Sequence, residues 1–216
     1  MRVTLMVGLV AAGLASACSD AGGVSVGATL DKSAIDPKTV APIDHAAGIT
    51  VVTRNWRESG VVDCVSQALA KTKPDLRVVP AKNFPSSIYR WDTYDIAELQ
   101  RLTQQPAAAA EIAAGNVRYV AVVDVDTMTT DDTPTSPCTF TCGKRSEGTA
   151  KIWDIAAGSE VARATAVSSG RAVMPTPFFG PFLPLWFDPA TETAVCEGLG
   201  QELAEYFART IPPAAR

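Results

Sequence analysis

Two sets of side chains in this sequence have types and spacings suited to chemistry. The first is four acids, Asp124, Asp126, Asp131 and Asp132, clustered at the end of the strand-like run Arg118–Val125. Carboxylates at the C-terminal end of a strand stand where α/β proteins place binding groups, and their oxygens suit Ca²⁺. The DxDxDG spacing of a calcium loop is missing, so a solvated strand end is the competing reading and no metal is assigned. The same acids carry the one enzymatic alternative, a carboxylate-based hydrolase. Trp56, Arg57 and Glu58 follow a predicted strand, where an anion-binding helix N-terminus and an exposed turn are equal readings. The single histidine, His45, lies near a small-residue N-terminal segment, a poor place for a general base. No HExxH, SxxK or glycine-rich phosphate loop occurs, and no catalytic residue and no cofactor is assigned.

The second set is the five cysteines. Cys18 ends a segment that begins with a cation (Arg2), continues through an apolar run, Val3 to Leu14, and finishes in small residues. That is the layout of a secretory signal, shorter than the roughly twenty residues a membrane span needs. Ala15-Ser16-Ala17-Cys18 resembles a bacterial lipobox, in which the cysteine becomes the first mature residue and is acylated. Ala15 stands where leucine is usual, so cleavage after Ala17 by an ordinary signal peptidase is the rival. Acyl chains anchor a protein by about 0.8 kcal/mol for each buried CH₂. By resemblance to the bacterial sorting pattern, Ser19 favours the outer membrane.

Cys64, Cys138, Cys142 and Cys196 remain. An even count in an exported chain reads as two disulfides with three possible pairings. Cys64 shares the apolar face of a predicted helix with Val61, Val65 and Leu69, and Cys196 that of a late helix with Leu199 and Leu203. Cys138 and Cys142 lie in one short polar stretch. The predicted bridges are therefore Cys64–Cys196 and Cys138–Cys142. Metal binding or redox catalysis is the alternative, but the spacing is CxxxC with one histidine in the chain, which does not suit zinc.

A third feature is Met174–Phe187, with four prolines and five aromatics. The prolines keep it out of a central strand. Phe178, Phe179, Phe182, Leu185, Trp186 and Phe187 are either a contact surface for a partner or membrane interface, or a stiff cover over the core.

The elements that must position these residues follow from periodicity. Strands are predicted at Ile49–Arg54, Leu76–Pro80, Arg118–Val125, Thr149–Ile155 and Glu160–Val167. Helices are predicted at Val61–Lys71, Ile96–Gln104, Ala107–Ala114 and Pro189–Arg209, the last N-capped by Asp188, and a short helix follows Pro85. The continuous apolar run 119–123 suits a central strand with both faces covered. Residues 126–147 read as a polar excursion, and Ala156-Ala-Gly158 as a hairpin turn. The expected fold is α/β, a single-domain sandwich with a mixed sheet of about five strands and packed helices. Its expected organisation is a signal peptide (1–17), a lipidated cysteine and flexible tether (18–47), the α/β domain (48–210) and a tail (211–216). Ile35 to Ile43 is the part of the tether expected to dock on the domain.

This layout resembles the small α/β domain of envelope lipoproteins of the TolB N-terminal and CsgG-like type. Asn116–Val122, Ala150–Asp154 and Thr191–Cys196 resemble runs in a group of uncharacterised proteobacterial lipoproteins. The resemblance implies a fold and an envelope address and carries no catalytic residue. Cleavage after Ala17 removes Arg2 alone from the charged residues, leaving 18 basic against 23 acidic and a net charge of −5. So acidic a chain, without a basic stripe, is unsuited to nucleic acid. The expected function is a periplasm-facing envelope lipoprotein, held to the membrane by its lipid and binding an envelope protein or cell-wall partner. A purely structural module of a larger assembly is the third reading.

Overall fold

A computed structural model of the chain describes residues 25–38, 42–53, 59–81, 100–101, 103–136, 139–175 and 190–209. Strand β1 is Ser25–Pro37. The β-branched run Gly48–Thr53 forms strand β2, and helix α1 (Ser59–Thr72) leads from it to the short strand β3 (Val78–Val79). β3 lies parallel to β2, with Ile49 opposite Val78 and Thr50 opposite Val79. Helix α2 (Pro106–Gly115) begins on proline, whose missing N–H costs nothing at a helix start. It ends at Asn116, the one described non-glycine residue with positive φ, 48°. The chain then enters β4 (Val117–Ser136), parallel to β2 on its other side.

This order fixes which helix covers which face. The step from β2 to β3 moves one way across the sheet, and the step from β3 to β4 moves back past β2. Both crossovers join parallel strands and are right-handed by rule, so α1 and α2 must lie on opposite faces. The packing agrees. Ile49, Val51, Tyr119, Ala121 and Val123 join a core with α1, while Val52, Val120 and Val122 join a second core with α2.

β5 (Thr139–Asp154) and β6 (Ser159–Pro175) complete the chain-order meander, and helix α3 (Thr191–Ala208) adds Val195, Leu199, Leu203 and Phe207 to the first core. The four residues between β5 and β6 are too few for a parallel crossover, so this pair is antiparallel and the sheet is mixed. Gly158 supplies the positive φ, 61°, that this turn requires. The sheet order is β1-β6-β5-β4-β2-β3.

The α/β class and the mixed sheet with packed helices are as expected, with six strands rather than about five. The difference is β1, in the segment read as a flexible tether. Most of its side chains are exposed, with Ala28, Ser33 and Ile35 half-buried. Backbone pairing with β6 holds it more than burial does, and composition does not report backbone pairing. Ile35 and Ile43 pack on the first core.

The polar excursion is likewise strand. β4 continues through residues 127–136, and β5 begins at Thr139. Its threonines favour an extended backbone despite their polarity. β2 accompanies β4 only as far as Val123, so beyond that point Pro134 forfeits no hydrogen bond to β2. Gln100, Arg101 and Thr103 are helical as expected, and the rest of that predicted helix up to 99, with residue 102, lies outside the described residues.

The described residues divide into two compact units. One holds 25–29, 127–136, 139–145, 169–175 and 190–191, the ends of four strands; within it Thr29 Oγ1 donates to the Ser169 carbonyl at 3.4 Å. The other holds the remainder, including both cores, α1, α2 and all but the first residue of α3. No helix among the described residues is long and apolar enough to cross a membrane.

Candidate functional site

Two constructions in the second unit bring polar groups together. The first is the seam between α1 and α3. Cys64 and Cys196 are joined by a disulfide, with Cα atoms 5.9 Å apart and a sequence separation of 132. One turn further along both helices, Ala68 meets Gly200. A Cβ on Gly200 would lie 2.5 Å from Ala68 Cβ and 3.0 Å from both Leu69 N and Val65 O. Glycine there lets the helix backbones approach, and the pairs 64/196 and 68/200 show that the helices run in the same direction. Matching i, i+4 ridges of this kind are the common way for helices to interlock.

The exposed side of this seam is a groove of about 410 Å³. Cys64, Ala68 and Thr72 line it along one ridge of α1, Gln67 and Lys71 along the next, and Thr193, Glu197 and Gln201 along α3. The i, i+4 spacing within each set is what places them on one side of their helix. The groove offers an ammonium, a carboxylate, two amides and two hydroxyls. That inventory can hydrogen-bond a polar chain or headgroup; it is not the apolar enclosure typical of small-molecule sites. Cys64 is half-buried and lines it, whereas Cys196 is 2% exposed.

The second construction centres on Arg118. Gly48 pairs with Val117 but Ile49 pairs with Tyr119, so Arg118 is the extra residue of a bulge in β4. The bulge moves Tyr119 to the first core while Val117 stays in the second. Arg118 Nε donates to both Asp154 carboxylate oxygens at 3.1 Å, and Nη2 donates to Oδ2 at 2.8 Å. Nη1 reaches Asp44 Oδ2 at 3.4 Å. Asp154 Oδ1 also accepts the Ala156 and Ala157 N–H groups at 2.9 and 3.2 Å, so one buried carboxylate ties the bulge to the β5–β6 turn. Hydrogen bonding to Asp154 pushes the Arg118 pKa up, so the guanidinium keeps its charge.

Around this pair, Tyr119 Oη accepts the Asp44 N–H at 2.9 Å, and the Tyr119 and Tyr206 rings both meet Phe207 edge-on, at 5.0 and 5.1 Å. Burial pushes the Tyr119 phenol up, and that of Tyr206 up to about 12. Asn116 completes the ring: its side-chain amide donates to the Ala46 carbonyl at 3.1 Å, and its own carbonyl accepts the Gly48 N–H at 2.7 Å. The cluster stands at the N-terminal ends of β2 and β4, opposite the strand ends where open α/β sheets bind ligands. It is a structural clamp.

The predicted residues fare differently. Cys64 and Cys196 are brought together as a bridge. Asp124 and Asp126 do not stand at a strand end, because β4 runs on to Ser136. Asp124 is half-buried and Asp126 exposed, and among the described residues no three His, Cys, Asp or Glu side chains gather as a metal site. Asp131 and Asp132 lie on β4, but their side chains fall outside the description, as does that of Cys142. His45 is exposed in the turn before β2. Cys18, Cys138, Trp56, Arg57, Glu58, Asp188 and the aromatic segment with Phe178, Phe179, Phe182, Leu185, Trp186 and Phe187 lie outside the described residues.

Sequence reasoning missed the groove and the Arg118 clamp. The spacing Gln67/Lys71 against Thr193/Glu197/Gln201 was readable on each helix, but the predicted bridge alone did not fix the direction in which the two helices run, which the Ala68–Gly200 contact sets. The bulge left no signal, since it breaks the alternation by which strand faces are read.

No protein-family model matches the chain, and no curated protein matches it. Among solved structures, two of the PelC dodecamer from Paraburkholderia phytofirmans are similar to it. One, a point variant in space group C2, is 15% identical over 82% of this chain and 100% of that chain, with a TM-score of 0.38. The other, in space group P6, is 14% identical over 83% and 100%, with a TM-score of 0.39.

Proposed function

We propose that this chain is an exported lipoprotein of a bacterial cell envelope, anchored through Cys18, whose folded part is a non-enzymatic binding or assembly module. The observation that carries the address is the Cys64–Cys196 bridge, which joins helices distant in sequence. Disulfides of this kind persist in oxidising compartments and are rare in the cytosol. The signal-like residues 1–17, the lipobox-like Ala15–Cys18 and the resemblance of Asn116–Val122 and Ala150–Asp154 to envelope lipoproteins support the same address. Ser19 favours the outer membrane. The aromatic segment Phe178–Phe187 is the proposed contact for an envelope protein or cell-wall partner, since aromatic side chains are enriched among the residues that carry binding energy.

The address is tested by unreduced peptide mapping of the protein from native membranes. An acylated Cys18 with Cys64–Cys196 and Cys138–Cys142 bridges is expected. An intact Ala17–Cys18 peptide bond with free thiols would overturn it. The contact is tested by photocrosslinking in cells from probes at positions 182 and 186. Reproducible adducts to one protein or glycan are expected, and no adduct of any kind would sink the idea.

A further inference from the structure

The two sulfurs of the Cys64–Cys196 bridge are not equivalent. Cys196 belongs to the first core and is 2% exposed, packed with Val195, Leu199 and Leu203 of its own helix. Cys64 is half-buried and forms part of the wall of the polar groove between α1 and α3. The groove is walled by Cys64 and not by Cys196, so a reagent in it meets one residue of the pair. Attack on a disulfide requires the incoming thiolate to reach a sulfur from outside, so access selects the sulfur that is attacked.

We infer that Cys64 is a thiol–disulfide exchange site in the folded protein, and that its reactant is a thiol small or extended enough to enter the groove. The thiolate, having lost its proton to solvent, attacks Cys64 Sγ and forms a mixed disulfide. The Cys64–Cys196 bond breaks, and its electron pair leaves on Cys196 Sγ, which takes a proton. The Thr193 carbonyl oxygen lies 3.2 Å from Cys196 Sγ, in place to accept a hydrogen bond from the thiol so formed. A second thiol then attacks the added sulfur and frees Cys64. Two thiols are oxidised to a disulfide and the bridge is reduced to two thiols. The reverse sequence, starting from the Cys64 thiolate and an external disulfide, closes the bridge with Cys196 as the resolving thiol. The groove suits a polar reactant: Gln67, Gln201, Thr72 and Thr193 can hydrogen-bond a peptide backbone, and Lys71 and Glu197 can meet either charge. None of this depends on the lipid anchor or on the aromatic contact.

The folded full-length chain is treated with 2-mercaptoethanol under native conditions, quenched with acid at intervals, and mapped by mass spectrometry. The expected product carries the adduct on Cys64 and a free thiol on Cys196, by about tenfold or more over the opposite arrangement. In a second measurement, Cys196→Ser and Cys64→Ser are labelled with a maleimide under native conditions, with circular dichroism checking the fold. The remaining Cys64 should label about tenfold or more faster than the remaining Cys196. An adduct mainly on Cys196, or equal labelling in the two variants, would overturn the assignment. So would a bridge that is reduced no faster than the protein globally unfolds.

Discussion

The two faces of the sheet in the helical unit are built on different terms. The face under α1 and α3 is deep and covalently closed, with a disulfide and the Ala68–Gly200 contact on consecutive turns. The face under α2 is a smaller cluster around Val52, Val120, Val122, Ile112 and Trp153. Among the described residues it also leaves two buried polar atoms without a hydrogen-bond partner. One is Trp153 Nε1; the other is Thr50 Oγ1, on the α2 face by alternation with Ile49 and Val51. The contrast teaches that stability and polar satisfaction are concentrated on one side, so equivalent perturbations should not cost the same on both.

The largest expected effect is loss of the bridge. Cross-linking residues 132 apart removes roughly 5 kcal/mol of chain entropy from the unfolded state in the loop-closure model. Cys64→Ser or Cys196→Ser should lower the denaturant midpoint accordingly, and reduction of the wild-type chain should lower it at least as far. A loss below about 1 kcal/mol would mean that the seam is held by packing alone, which removes the basis of the contrast.

Next comes Asp154→Ala, expected to cost on the order of 3 kcal/mol, because it strands Arg118 and two turn N–H groups together. Asp154→Asn keeps an acceptor for the turn and should recover part of the loss. Equal losses in urea titrations of the two variants would show that the ion pair, not the turn, carries the effect.

These two sites differ in how readable they were. The bridge was legible because helical periodicity put each cysteine on an apolar face and an even cysteine count asked for partners. The central strand was legible from the continuous apolar run Tyr119–Val123, and the β5–β6 turn from Gly158. The Arg118–Asp154 clamp was not, because a one-residue bulge and a contact 36 residues apart leave no periodic trace. Strand β1 was hidden for another reason: its stability lies in backbone pairing, which its small and charged side chains do not advertise.

Alkaline pH tests the α3 side by another route. An unfolded tyrosine titrates near pH 10, whereas burial raises Tyr206 to about 12. Between those values the unfolded chain has released a proton that the folded chain still holds. The contribution is therefore fully present below pH 10 and lost as pH rises towards 12. It should amount to about 2–3 kcal/mol, and Tyr206→Phe should flatten the decline in urea midpoint over that window. An unchanged slope in the variant would assign the alkaline loss elsewhere. At similar size, Gly200→Ala should cost about 2 kcal/mol, since its Cβ meets the Val65 and Leu69 backbone as well as the Ala68 side chain.

The smallest effect has the opposite sign and lies on the other face. Thr50 is fully buried at the middle of β2, and its hydroxyl has no partner. Burying an unsatisfied hydroxyl costs about 1–3 kcal/mol, and valine has nearly the same shape with a methyl in its place. Thr50→Val should therefore stabilise the protein by about 1 kcal/mol, read as a rise in the denaturant midpoint at constant slope. The same replacement at a satisfied threonine would destabilise. A loss of stability in Thr50→Val would show that the hydroxyl is bonded in solution, through an internal water, and that the α2 face is as fully satisfied as the face opposite.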